Sequence, residues 1–251
     1  MATNRIALIT GANQGMGKQV AKELVSDGLT VYVGSRDVAR GEEAAREIGD
    51  GATALQLDVT DAASIARAAS RIEEEAGRLD LLVNNAAISG TRTGVQDLAE
   101  LRELAQPSVV SIDEVRAVWD VNVFGVMAVY QAMLPLLRKS SGGRIVNVSS
   151  AQGSLTIMAD PDFPLRSTFE PVYSASKTAL NAVTLSMMIE LAATDIKVNL
   201  VSPGFANTAL VNFQGTESVE DACREVVRVA RLGPEGPGGT YTRWEGVALP
   251  W

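Results

Sequence analysis

Tyr173 and Lys177 stand four residues apart, a spacing that puts both side chains on one face of a helix. A phenol ionises near pH 10 and is a poor base at neutral pH, whereas a neighbouring ammonium favours its ionised form. The pair is therefore expected to give and take protons, with Lys177 drawing the pKa of Tyr173 downward. Upstream, Ser149 and Ser150 follow the apolar run at residues 145–148. A hydroxyl at the C-terminal end of a buried strand can hold a carbonyl oxygen as charge develops on it. The spacing alone also allows a Tyr–Lys pair of purely structural consequence, and either serine could supply the hydroxyl.

A second set of residues suits phosphate. Thr10, Gly11, Ala12, Asn13, Gln14, Gly15, Met16 and Gly17 follow the first β-prone run and lead straight into an amphipathic segment. Glycines permit a tight turn and close backbone approach, and the free N–H groups at a helix start favour a pyrophosphate. An ordinary glycine-rich connection is the alternative. At the end of the second run lie Ser35, Arg36 and Asp37. A guanidinium there pairs with a ribose 2′-phosphate and a carboxylate with a 2′-hydroxyl, so Ser35 and Arg36 favour NADP, with NAD as the alternative that Asp37 would serve. Asp58, closing the third run, could accept from an adenine amino group or cap the next helix together with Asp61.

Composition removes competing chemistries. The 251 residues include no histidine and one cysteine, Cys223. That excludes Ser-His-Asp hydrolysis, Cys-His proteolysis and the usual thiolate or imidazole metal sites, so no metal is expected. With 22 basic against 30 acidic residues, net −8, phosphate-backbone binding would work against the overall field, and no nucleic-acid partner is expected. The apolar stretch at residues 6–9 is too short for a signal-peptide core or a membrane span, which makes the expectation a soluble, cytoplasmic protein without a membrane partner.

These groups need a scaffold that brings residues 10–17, 150 and 173 together. β-prone runs at residues 6–10, 31–34, 54–57, 79–83, 144–148 and 197–201 alternate with helical patterns at 15–27, 38–48, 64–76, 112–139 and 172–193. Alternation of this kind predicts an α/β fold with a single Rossmann-type doubly wound parallel sheet in three layers, with residues 1–251 as one domain. Pro171 is placed to open the last of those helices. Loop-like stretches are expected at 89–106 and 152–170, and a last short strand near 238–241, with Trp244 and Trp251 anchoring the end.

Taken in order, the motifs resemble those of the short-chain dehydrogenases/reductases over essentially the whole chain: TGANQGMG at the turn, NNAA at residues 84–87, Asn122 in the long fourth helix, the pair Ser149–Ser150, YSASK at 173–177 and PGFANT at 203–208. The resemblance implies Tyr173 as general acid/base, Lys177 lowering its pKa and binding nicotinamide-ribose hydroxyls, Ser150 orienting the carbonyl, and Asn122 holding a relay water. It also implies that Asn84, Asn85 and Ala86 line the cofactor cleft, that Asp58 and Val59 flank the adenine, and that Pro203, Gly204, Phe205 and Thr208 meet the nicotinamide. Two features depart from the common pattern. Ala87 replaces a glycine, and the Ser150-to-Tyr173 interval is long, similar to the insert of the monomeric carbonyl-reductase branch, which Ser35-Arg36-Asp37 and the closing Leu249-Pro250-Trp251 also resemble.

The implied activity is NADPH-dependent reduction of a ketone or aldehyde, and Leu155, Ile157, Phe163, Phe205 and Phe213 near the presumed chemistry suit an apolar small molecule. They could equally pack the insert onto the body or form a subunit interface, so monomer and homo-oligomer both stay open. Two other readings remain: a ketoreductase of carrier-bound 3-oxoacyl groups, for which the acidic chain offers little basic surface, and a non-catalytic NADP-sensing protein on the same fold.

Overall fold

The computed structural model describes residues 5–92, 100 and 103–251, so the loop expected at 89–106 lies largely outside the described residues. The apolar runs form strands β1 (Ile6–Ile9), β2 (Thr30–Ser35), β3 (Ala52–Gln56), β4 (Leu81–Asn84), β5 (Arg144–Val148), β6 (Lys197–Val201), β7 (Thr240–Arg243) and β8 (Val247–Ala248). They build an eight-stranded sheet in the order β3-β2-β1-β4-β5-β6-β7-β8. Every pairing from β3 across to β7 is parallel, as the doubly wound fold requires. One element was not expected: β8 returns antiparallel against β7, with Thr242 opposite Ala248.

Alternation along the strands feeds two cores, one on each face. Leu8, Leu82 and Ile145 point to the side covered by α3 (Ala62–Ala76), α5 (Gly125–Leu137) and α7 (Ser174–Glu190), while Ile9, Val83 and Val146 point to the side covered by α1 (Gly15–Ser26), α2 (Val38–Ile48) and α8 (Arg224–Arg231). Each fully buried Leu or Ile side chain contributes roughly 1.5–3 kcal/mol. A one-residue register slip would exchange the two faces, so burial holds the register. Because β1 lies between β2 and β4, the winding direction reverses there and opens a crevice beyond the C-terminal ends of β1 and β4.

Two helices differ from expectation. The pattern at 112–139 is broken into α4 (Ile112–Trp119), a π turn (Asp120–Phe124) and α5, and Asn122 sits fully buried in that π turn. By length and composition, Ile112–Leu137 is also apolar enough to cross a membrane, yet 56% of that window is buried within the fold, where Val129, Met133 and Leu137 join the core. Pro171 does not open the Tyr–Lys helix. α7 starts at Ser174, and the Pro171 carbonyl instead accepts from Trp119 Nε1 at 3.1 Å. Between β5 and α7 the chain folds as a short helix, α6 (Leu155–Ala159), between 3₁₀ turns at Ala151–Gly153 and Arg166–Thr168.

Candidate active site

The glycine-rich turn closes over the reversal point of the sheet. Gly11 has φ +63°, and a Cβ there would lie 2.9 Å from Ala86 Cα. A Cβ on Gly17 would lie 2.4 Å from Asn85 Nδ2 and 2.6 Å from the Gly11 carbonyl oxygen, so the turn and the loop after β4 can approach only because both positions lack side chains. Thr10 Oγ1 accepts the N–H groups of Asn85 and Ala86, each at 3.0 Å. Asn85 Nδ2 donates back to the carbonyls of Thr10 at 2.9 Å and Gly11 at 3.2 Å. Asn85 therefore shapes the turn from behind. Asn84, expected in the cofactor cleft, is buried and donates to Asn147 Oδ1 at 2.8 Å, because successive strand residues face opposite sides of the sheet. At the start of α1, Gln14 makes no side-chain cap and the first turn carries no acid, which suits a phosphate anion.

Beyond β2 the alternatives separate. Asp37 caps α2, its carboxylate accepting from Arg40 N at 3.1 Å, and Ser35 Oγ donates to the Asp37 carbonyl at 2.7 Å. Arg36 is exposed and makes no ion pair among the described residues. A cavity of about 250 Å³ next to the turn is lined by Asn13, Gln14, Lys18, Arg40, Glu43, Ala44 and Glu47. Within it Lys18 pairs with Glu47, which leaves Arg40 as a second cation that the sequence analysis missed. It lies in the first turn of α2, four residues after Arg36, and a second arginine so close to the end of β2 was the available signal. At β3, Asp61 caps α3 through Ala63 N at 2.9 Å, whereas Asp58 Oδ1 accepts from Thr60 N at 2.9 Å and Thr60 Oγ1 at 2.7 Å. Val59 packs on the π turn's end, where a Cβ on Gly125 would lie 2.9 Å from Val59 Cγ2.

Tyr173, Ser150 and Lys177 meet beyond the end of β5. The Ser150 side chain lies near enough to the Tyr173 phenol to oppose the rise in its pKa, and its Oγ accepts from Gln152 N at 3.2 Å. Ser149 is turned away: it is buried and donates to Asn181 Oδ1 at 2.6 Å. Lys177 is 3% exposed; its Nζ donates to the Val148 carbonyl at 2.8 Å and lies 5.6 Å from the Tyr173 ring centroid.

The electrostatics run against the expected direction. Burial pushes Tyr173 up to about 12, with Glu170 adding to the rise and Ser150 opposing it, and burial pulls Lys177 down to about 7. A lysine that releases its proton near 7 holds no charge when a phenol ionises near 12, so in the protein alone Lys177 does not lower the pKa of Tyr173. The phenol stays protonated at neutral pH, which is the form that donates.

Asn122 lies within the long helical pattern where it was expected, in its π turn. Its Oδ1 accepts from Ile88 N at 3.0 Å, and its Nδ2 donates to the Ile88 carbonyl at 2.9 Å and to Ser176 Oγ at 3.0 Å. The side chain thus ties the loop after β4 to α7, with both of its polar atoms engaged. Past β6, Gly204 N donates to the Ala222 carbonyl at 3.0 Å, and Phe205 N donates to Glu217 Oε1 at 2.7 Å. The backbone donor expected to meet a nicotinamide is therefore taken by an exposed carboxylate of the same loop. Pro203 is half-buried beside it. Thr208 reaches the glycine turn, its Cγ2 being 3.5 Å from where a Cβ on Gly15 would stand.

Two further groups escaped the sequence analysis. Tyr241 on β7 is buried and donates to the Ser150 carbonyl at 2.5 Å, and Trp251 packs against it with ring centroids 5.7 Å apart. The Trp251 carbonyl accepts from Thr156 Oγ1 at 2.6 Å and Thr156 N at 3.2 Å, tying the end of the chain to α6. Trp244, expected to anchor, is 45% exposed. Glu170 stands directly before Pro171, and its carboxylate takes three backbone N–H groups at the head of α7. An acid ahead of a helix was a legible signal for the second of these groups; a contact spanning 91 residues, as between Tyr241 and Ser150, had none.

The two serines give a direct test. Ser150→Ala is expected to lower turnover on the order of 10²-fold with little change in stability, as for loss of one oxyanion donor. Ser149→Ala instead removes a buried donor from Asn181 and should cost about 1–3 kcal/mol of stability. Thermal melts beside initial rates distinguish them; the reverse pattern would exchange their assignments.

A doubly wound sheet with a glycine turn at its reversal point and a Tyr-Ser-Lys cluster beyond β5 defines a dinucleotide-fold oxidoreductase class. Residues 5–218 match the short chain dehydrogenase family, and the chain belongs to it. It is 32% identical over 288 residues to (+)-neomenthol dehydrogenase of Arabidopsis thaliana, covering 95% of this chain and 96% of that protein. Among solved structures it is similar to salutaridine reductase from Papaver somniferum, with 29% identity, a TM-score of 0.79 and coverage of 95% and 99%. It is also similar to 3-ketoacyl-(acyl-carrier-protein) reductase from Brucella melitensis complexed with NADH, with 25% identity, a TM-score of 0.78 and 98% coverage of each. The chain is thus an oxidoreductase of the family that acts on alcohol and carbonyl groups.

Proposed function

We propose that this protein reduces a ketone or aldehyde of an apolar small molecule to the alcohol, with NADPH as the favoured cofactor and NADH as the alternative. The observation that carries the reading is the cluster of Tyr173, Ser150 and Lys177 beyond the C-terminal end of β5, with Lys177 Nζ 5.6 Å from the Tyr173 ring and bonded to the Val148 carbonyl. Gly11 and Gly17 let the turn close against the loop after β4, and the free N–H groups at the start of α1 can then meet a pyrophosphate. Arg36 and Arg40 supply the cations for a 2′-phosphate, while Asp37 is occupied as a helix cap. The nicotinamide supplies the hydride when bound.

The chain's own groups do the rest. Ser150 holds the carbonyl oxygen of the substrate, and Tyr173 delivers the proton to that oxygen. Lys177, with a pKa near neutrality, can return a proton to the phenolate left behind. Asn122 keeps the loop after β4 docked on α7 so that the cleft keeps its shape. The relatives named neomenthol dehydrogenase and salutaridine reductase support a small-molecule substrate, and Leu155, Leu165 and Phe205 leave apolar side chains exposed on the segments that follow β5 and β6.

The test is NADPH oxidation followed at 340 nm with a panel of cyclic and aromatic ketones and aldehydes. Turnover with at least one is expected, faster with NADPH than with NADH. Arg36→Ala and Arg40→Ala should each weaken NADPH affinity roughly tenfold, the equivalent of about 1.4 kcal/mol, and leave NADH affinity alone. Equal losses for both cofactors would remove the arginines from 2′-phosphate recognition, and an inert panel would sink the proposed activity.

A further inference from the structure

We infer that Glu170 is a positioning residue for Tyr173: its carboxylate fixes the backbone from which the phenol projects and so joins the segment between β5 and α7 to the proton donor. This rests on the function proposed above. Pro171 has no N–H, and the next three amides all converge on the one carboxylate: Val172 N on Oε2 at 2.6 Å, Tyr173 N on Oε1 at 2.8 Å and Ser174 N on Oε1 at 2.9 Å. Ala175 N donates to the Glu170 carbonyl at 3.0 Å. Every backbone donor from residue 172 to residue 175 is thus held by Glu170.

These are among the donors that a helix leaves without internal partners, and charge-assisted bonds to them are short and strong. Tyr173 caps α7 with helical φ −90° and ψ −54°, and its carbonyl already accepts from Lys177 N at 3.0 Å, whereas its own N–H lies ahead of the first carbonyl the helix can offer. The helix thus holds Tyr173 from its carbonyl side, and the Glu170 carboxylate holds it from its N–H side. The grip extends outward: Gln152 Nε2 donates to Thr168 Oγ1 at 2.9 Å, and Ser174 Oγ, fully buried, donates to the Thr168 carbonyl at 3.3 Å. Residues 152, 168, 170 and 174 form a continuous link from the neighbour of Ser150 to the neighbour of Tyr173. A shift of the segment over the site is carried through it to the phenol.

The expected signature is a split between rate and binding. Assayed with NADPH and the best ketone or aldehyde of the panel, Glu170→Ala lowers kcat at least about tenfold, since misplacement on the order of 1 Å can cost up to 10²-fold, while the KM for NADPH stays within about twofold. Glu170→Gln keeps a carbonyl oxygen for the Tyr173 and Ser174 amides and recovers most of kcat, and it also serves if the alanine variant folds poorly. Unchanged kcat in Glu170→Ala, or parallel losses in kcat and in NADPH affinity, overturns the inference. A wild-type chain that reduces nothing fails the proposed function itself, and the two failures are therefore distinguishable.

Discussion

Tyr173→Phe is expected to lower ketone-dependent NADPH oxidation on the order of 10³-fold while NADPH binding stays within about twofold. General acid catalysis by a positioned group is worth roughly 10²–10⁴-fold, and phenylalanine deletes the proton while keeping the ring. Ser150 would remain to hold the carbonyl oxygen, which leaves a small residual rate. A phenol is protonated at neutral pH in any case, and burial, which pushes Tyr173 up to about 12, takes it further from ionising, so the wild type needs no prior titration to donate. Initial rates and a fluorescence titration of NADPH check the two halves separately. Turnover within threefold of wild type would take Tyr173 out of the mechanism and leave Ser150 without a partner in proton transfer.

Lys177→Met is expected to abolish most turnover and to change how stability depends on pH. Burial lowers Lys177 from 10.5 to about 7. Below pH 7 the lysine is charged in both folded and unfolded chains and its full burial penalty is present. Between about pH 7 and 10.5 the unfolded chain binds the extra proton, so wild-type stability rises with pH through that window, by at most about 1.4 kcal/mol per unit. Above the window both forms are neutral and the penalty is gone. Methionine has a similar length and no titration, so the wild type should gain on the variant as pH climbs from 7 to 10. Denaturant unfolding of the cofactor-free proteins across that range measures the difference, and parallel curves would mean that the lysine keeps its charge inside the fold. Under the proposed function this penalty is stability given up for a proton source beside Tyr173.

The order of elements and the placement of the glycine turn were legible because both depend on local rules. Short β-prone runs between helix-length segments identify strands such as Ile6–Ile9 and Arg144–Val148, which are buried along most or all of their length, and a turn that closes against the loop after β4 needs glycine at residues 11 and 17. Asp37 against Arg36 was not decidable that way. Both sit at the end of β2, and only the cap to Arg40 N shows which of them remains available. The π turn in the long helix was hidden for a related reason: a run of apolar residues reads as one helix, and the widening at Asp120–Phe124 becomes apparent only where α5 abuts Val59.

The amino-acid sequence by itself determined the winding of the sheet, the phosphate-binding turn and the presence of a Tyr-Lys pair, because each arises from spacing within about 20 residues. Tertiary structure decided which serine faces the phenol, which arginines are free and in which direction the Tyr173 and Lys177 proton affinities move. Those outcomes depend on burial and on partners far away in the chain, such as Val148 for Lys177 and Tyr241 for Ser150. Desolvation is a property of the packed interior, and no reading of neighbouring letters contains it.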